Sequence, residues 1–210
     1  MAAACLYDVT MPLFSSPGCP SSRIVVIDVS GALRNTSLGV PIVEGLTVPQ
    51  LLSLGRCGAE FIVIVGHGLV IESSVLGMEG GFALETSEPA NVLALVKYPL
   101  LILTEAVMRG YVPGSSSPRL AATSRITWFM SSMRGKVLIL ITCPLGNITD
   151  FARSLIERGC TAVAYPSMRV QASKVPRLVE RVVESLSRAV SVPDALNSLR
   201  ELGFVVLSRG

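Results

Sequence analysis

The sequence predicts an α/β fold, a doubly wound and mostly parallel sheet with helices on both faces, and three observations predict it. Short runs of continuous apolar, often β-branched residues recur along the chain, which is how strands covered on both faces read. Segments with apolar residues at helical spacing alternate with those runs in the second half, as βαβ units require. Half of the 210 residues are apolar and only 16% are charged, enough to fill one sizeable core.

The predicted strands are Ile24 to Val29, Phe61 to Val65, Val137 to Thr142, Thr161 to Tyr165 and Phe204 to Leu207, with Val40 to Leu46 a weaker sixth. A helix is predicted over Ile148 to Arg158, because Ile148, Phe151, Ala152, Leu155 and Ile156 share a face and Gly159 stops it. The next runs from Lys174 to Ala189 on a stripe of Val175, Leu178, Val179, Val182 and Leu186. A third starts at Ser191, an N-cap followed by Pro193 and Asp194 in the first turn, and ends before Gly203. Residues 72–134 break the rhythm and read as an insertion within a single domain spanning 1–210. They predict a hairpin from Glu72 to Glu85 turning at Gly80-Gly81, a helical run from Pro89 to Arg109, an exposed loop from Tyr111 to Pro118, and a helical segment from Leu120 to Met133.

Composition narrows the function. No apolar run reaches the roughly 18 residues that span a bilayer, and the N-terminus lacks the basic region of an export signal, so a soluble, cytoplasmic protein with no membrane partner is expected. The five cysteines form no CxxC pair, and their spacing points to neither a zinc site nor a dense disulfide framework; reduced thiols are expected. The formal charge is only +3 and no basic cluster interleaves with aromatics, so nucleic acid is not an expected partner. No close pair of acids in a D-x-D loop suggests a metal, and no cofactor is expected. The high apolar content suits a homo-oligomer or a larger complex.

Two residues carry the chemistry. His67, the one histidine, sits where Phe61-Ile-Val-Ile-Val-Gly-His-Gly leaves a buried strand, at the carboxyl end where doubly wound sheets place their ligands. Gly66 and Gly68 let the backbone turn tightly there, and Gly68 presents an unobstructed N–H. Cys143 ends the strand Val137-Leu-Ile-Leu-Ile-Thr142 just before a helix, where N-terminal amides favour a thiolate. If the strands are neighbours, imidazole and thiol meet at one edge, and acyl transfer needs that pair plus an oxyanion site, for which the N–H groups of Gly68 and Cys143 serve. No carboxylate is spaced in sequence to orient His67. Asp28, Ser30, Ser167 and Arg169, in loops after central strands, are candidates for substrate binding; Asp28 suits a basic side chain and Arg169 an acidic one. Arg109 and Arg119 flank the Gly/Pro/Ser loop, which suggests a self-cleavage or partner-gated segment beside the plainer reading of a variable surface loop.

A strand then His67-Gly68, a strand then Cys143, Leu155-Ile-Glu-Arg-Gly159, Thr161-Ala-Val-Ala-Tyr165, Ser167-Met-Arg-Val170 and Asp194-Ala-Leu-Asn-Ser-Leu-Arg200 form an ordered set. That set resembles the caspase-like cysteine peptidases of clan CD, and most of all their CHAT branch, over roughly Arg23 to Ile71 and Lys136 to Gly210. The resemblance implies a cysteine endopeptidase with His67 as general base and acid, Cys143 as nucleophile and Gly68 as oxyanion donor. It departs at Thr142, where a small residue is usual, and at Met168 or Arg169, where the family has Trp. Its partners would be a protein or peptide substrate and a regulatory protein. Two other readings remain open: an inactive caspase-like scaffold for a protein partner, and a doubly wound domain for a small ligand. Against the last, no GxGxxG or GxxxxGK[ST] motif follows a strand.

Overall fold

The computed structural model describes residues 22–70, 81–111, 117–142 and 147–209. Its main sheet holds β1 (Ile24–Asp28), β2 (Ile42–Glu44), β3 (Phe61–Val65), β8 (Val137–Ile141), β9 (Ala162–Pro166) and β10 (Phe204–Ser208) in the order β10-β9-β8-β3-β1-β2. All neighbours are parallel except β10, which runs antiparallel to β9. The continuous apolar runs are buried on both faces, as their composition requires. Val25, Ile27, Ile62, Ile64, Leu138 and Leu140 point to one side, and Val26, Phe61, Val63, Val65, Val137, Ile139 and Ile141 to the other.

Each face has its own cover. The first packs on α1 (Val48–Leu52) and on Phe151, Ala152 and Leu155 of α4 (Ile148–Glu157). The second packs on Val179, Val182, Val183 and Leu186 of α5 (Val175–Arg188) and on Ala195, Leu196 and Leu199 of α6 (Val192–Glu201). Those residues recur at three- and four-residue steps, so each helix presents one apolar stripe. Capping follows the sequence: Thr47 and Gln50 form a capping box for α1, and the Ser191 side chain accepts the Asp194 N–H at the start of α6.

The inserted segment departs from expectation. It builds a second, antiparallel sheet, β4-β5-β7-β6, from β4 (Gly68–Val70), β5 (Phe82–Pro89), β6 (Val107–Gly110) and β7 (Arg119–Thr123). Gly80 of the predicted hairpin turn lies outside the described residues, as does much of the loop after Tyr111. The predicted helix from Pro89 to Arg109 is instead two short helices, α2 (Val92–Lys97) and α3 (Pro99–Leu103), followed by β6. Pro99 forces the break by lacking an N–H, and Glu105 adopts a positive φ of 54° just before β6. The predicted helix from Leu120 to Met133 is instead the strand β7 and a 3-10 turn, Ser124–Trp128. Leu120-Ala-Ala-Thr123 favours a helix locally, but between β5 and β6 its small side chains fit a central strand, and tertiary pairing prevails. Phe82, Leu84, Leu120 and Ala122 join the core of the main sheet, so the second sheet stacks against the first. The phenyl rings of Phe82 and Phe151 meet edge to face at 5.3 Å.

Among the described residues no helix is long and apolar enough to cross a membrane. Cys57 is disulfide-bonded, which corrects the expectation of reduced thiols throughout.

Candidate active site

The site grows from two paired strand ends. Val65, the last residue of β3, pairs with Ile141, the last of β8, and the Gly66 N–H extends the ladder by donating to the Ile141 carbonyl at 3.3 Å. His67 follows Val65 by two residues. Cys143 follows Ile141 by the same two in the sequence, and it lies outside the described residues with Pro144.

Beyond Gly66 the chain changes sheets. The carbonyl of His67 accepts the Glu85 N–H at 3.1 Å, which begins the antiparallel pairing of β4 with β5. That bond brings Glu85 beside the His67 backbone at the point where the chain enters β4. The alternation of the ladder then turns the Gly68 N–H away from β5, toward the outer edge of β4.

Both side chains line a cavity of about 380 Å³ with Asp28, Ser30, Arg34, Glu44 and Arg119. Its walls come from the carboxyl ends of β1, β2 and β3 and from β5 and β7 of the second sheet. It therefore lies at the strand ends where doubly wound sheets hold ligands. Burial lowers the His67 pKa below the ordinary 6.5, so its imidazole is neutral at neutral pH and free to take a proton. Burial raises the Glu85 carboxyl from 4.5 to about 7, opposed by the nearby Arg119 and by a hydrogen bond from the His67 backbone N–H. Glu85 is only 5% exposed, and its Oε2 has no hydrogen-bond partner among the described residues.

Glu85 is the residue that spacing along the chain did not reveal: its carboxyl lies beside the His67 backbone and lines the same cavity. One signal existed in the sequence, because Glu85 is the ionisable interruption in the otherwise apolar start of the strand Phe82-Ala-Leu-Glu.

The four substrate-binding candidates divide. Asp28 and Ser30 reach the His67 cavity. The Asp28 carboxylate is occupied in holding its own loop: Oδ1 accepts from Ser30 Oγ at 3.0 Å and from the Gly31 N–H at 2.9 Å, and Oδ2 from the Leu33 N–H at 2.7 Å. Glu44, Arg34 and Arg119 are the charged groups that remain beside the histidine and Glu85. Ser167 and Arg169 line a different cavity beyond β9, and the Ser167 hydroxyl donates to the Gly203 carbonyl.

Neither described cysteine suits a nucleophile. Cys57 is in a disulfide at the amino edge of the sheet, and burial pushes the Cys160 thiol up to about 12. Among the described residues no group of three His, Cys, Asp or Glu side chains is placed to hold a metal ion.

No protein-family model matches the chain, and comparison with curated proteins finds no similar sequence.

Proposed function

We propose that the chain is a cysteine endopeptidase of the caspase-like, CHAT type, working through a dyad of Cys143 and His67. The observation that carries the reading is the pairing of Val65 with Ile141, since the two reactive residues each follow their strand end by two positions. The strand order and the neutral imidazole also support it.

The reaction follows from these roles. His67 takes the thiol proton, Cys143 Sγ bonds to the scissile carbonyl carbon, and the carbonyl oxygen gains the negative charge. The N–H groups of Gly68 and Cys143 hold that oxyanion. As the tetrahedral species collapses, the C–N bond breaks and His67 returns its proton to the leaving amine. Water then attacks the thioester, with its proton passing through His67 to the departing sulfur. Glu85 acts through its cross-strand contact as a positioning residue for His67.

Timed iodoacetamide labelling read by mass spectrometry tests the dyad. Cys143 should be modified at least about tenfold faster than Cys160, and His67→Ala should slow Cys143 by a similar factor. Cleavage of an unstructured protein substrate should vanish in Cys143→Ala. If Cys143 labels no faster than the remaining thiols, or if His67→Ala leaves its rate unchanged, the chain is a binding domain and the enzyme reading fails.

A further inference from the structure

A second cavity lies away from His67. It measures about 610 Å³ and sits where β9 ends, between the start of α5 and the turn from α6 into β10. Met168, Leu178, Leu202 and Phe204 make its apolar walls, and Arg169, Lys174, Arg177 and Arg181 ring it with positive charge. No Asp or Glu lines it, and none of the four cations forms an ion pair with a described residue. Of the two acids along α5, Glu184 is paired with Arg188, and Glu180 does not reach the cavity.

This placement has a cost within the chain itself. Arg177 and Arg181 stand four residues apart on one helix face with Lys174 one turn before, a like-charge stripe that weakens a helix by a few tenths of a kcal/mol per pair. The positive end of the α5 dipole adds to the same field. Met168 is 77% exposed beside the opening, a large apolar group left in water. An occupant that brings negative charge to the rim and an apolar group to the floor relieves both.

We infer that this cavity is a docking site for an acidic peptide segment that carries a large apolar side chain between Asp or Glu residues. The volume suits a few residues of chain rather than a broad surface. Nucleic acid fits less well, because the one aromatic in the walls, Phe204, is buried and offers no stacking face. A membrane fits less well because the apolar wall is concave and most of its residues are recessed.

The site is separate from the His67 cavity. The end of β9 lies two strand spacings from the end of β3, about 10 Å. Three or more extended residues are needed to reach from one to the other. A segment held here thus leaves the His67 edge open, and docking does not depend on the proposed chemistry at Cys143.

The test uses the full chain as Cys143→Ala, so that neither hydrolysis nor thiol chemistry enters. Fluorescence anisotropy would follow a fluorescein-labelled Glu-Glu-Leu-Glu-Glu-Leu-Glu-Glu peptide. Saturable binding is expected, weakened at least about tenfold by Arg177→Glu with Arg181→Glu, weakened by Met168→Ser, and reduced as salt rises from about 0.1 M to about 1 M. All three positions are exposed, and circular dichroism like that of the parent would show that the variants fold. Absence of saturable binding overturns the inference. So does binding that the charge reversal leaves unchanged in a folded variant, a Leu-to-Ser peptide that binds equally well, or tighter binding of oligodeoxyadenylate or phosphatidylserine vesicles.

Discussion

Replacing Glu85 by Gln should stabilise the protein above neutral pH and leave it nearly unchanged near pH 5. Glu85 ionises near 4.5 in an ordinary setting, but burial raises the folded value to about 7. Between those values the folded chain holds a proton that the unfolded chain has released, so stability falls as pH rises through the window. The contribution is fully present below the unfolded value and lost once pH passes the folded one. The whole shift corresponds to about 3 kcal/mol. Because the carboxyl borders a cavity that admits water, about 2 kcal/mol is the expected effect. Gln keeps the shape, can still accept the His67 backbone N–H through its amide oxygen, and carries no charge to desolvate. Urea unfolding of both proteins at pH 5 and at pH 8.5 measures the difference directly. The gap should open in favour of Glu85→Gln as pH rises. A gap that stays flat with pH, or a variant less stable at pH 8.5, would falsify the claim that a buried, proton-holding carboxyl lies beside the His67 backbone. The same variant should alter the pH profile of Cys143 labelling if Glu85 positions the imidazole, whereas a purely structural role would leave that profile in place.

The acid limb of Cys143 labelling should fall below pH 6.5, because burial lowers the His67 pKa and keeps the base unprotonated to lower pH; a limb above 6.5 in a pH titration contradicts that environment. Asp28→Ala should cost about 2 to 4 kcal/mol by leaving the N–H groups of Gly31 and Leu33 and the Ser30 hydroxyl without their acceptor, and Asp28→Asn should cost less, in guanidinium unfolding. Equal stability of Asp28→Ala and the parent would mean the loop does not depend on that carboxylate. Gly55→Ala should be destabilising by at least about 3 kcal/mol, since a Cβ there would lie 2.0 Å from the Ser132 carbonyl oxygen; Gly58→Ala meets nothing within 4 Å and should be neutral or stabilising by up to about 1 kcal/mol. A pair of melting curves that coincide would show the backbone yielding around Gly55.

The four inner strands of the main sheet, β1, β3, β8 and β9, were legible because burial on both faces leaves a trace of continuous apolar residues such as Phe61-Ile-Val-Ile-Val65, whereas the half-buried edge strand β2 gave a weaker signal. The helices α4, α5 and α6 were legible for the complementary reason, that one face meets the sheet and the other meets water. The insertion was harder because its local and tertiary preferences conflict. Leu120-Ala-Ala-Thr123 has helical composition and becomes a strand only because β5 and β6 lie on either side of it. The Cys57 disulfide was likewise hidden, since sequence spacing does not say which distant thiols approach.

The same distinction governs the site. His67 stood out because it follows a legible strand, and the neighbouring of β3 and β8, the strands that His67 and Cys143 follow in the sequence, is the part of the proposed dyad that the described residues carry. Glu85 could not be assigned, because its meeting with His67 depends on the register of β4 against β5, and a slip of one residue would turn its carboxyl into the core. The basic cavity lies between these cases. Lys174, Arg177 and Arg181 lie along one predicted helix of which only the apolar stripe was read, and Leu202 and Phe204, which turn the basic side into a walled site, come from the far end of α6 and the start of β10. Thus chemistry carried by one element can be read from the chain, whereas chemistry made by two elements waits on their register. If the charge reversal at Arg177 and Arg181 abolishes peptide binding while Cys143 still labels rapidly, the two cavities act independently, as their separation across β8 requires.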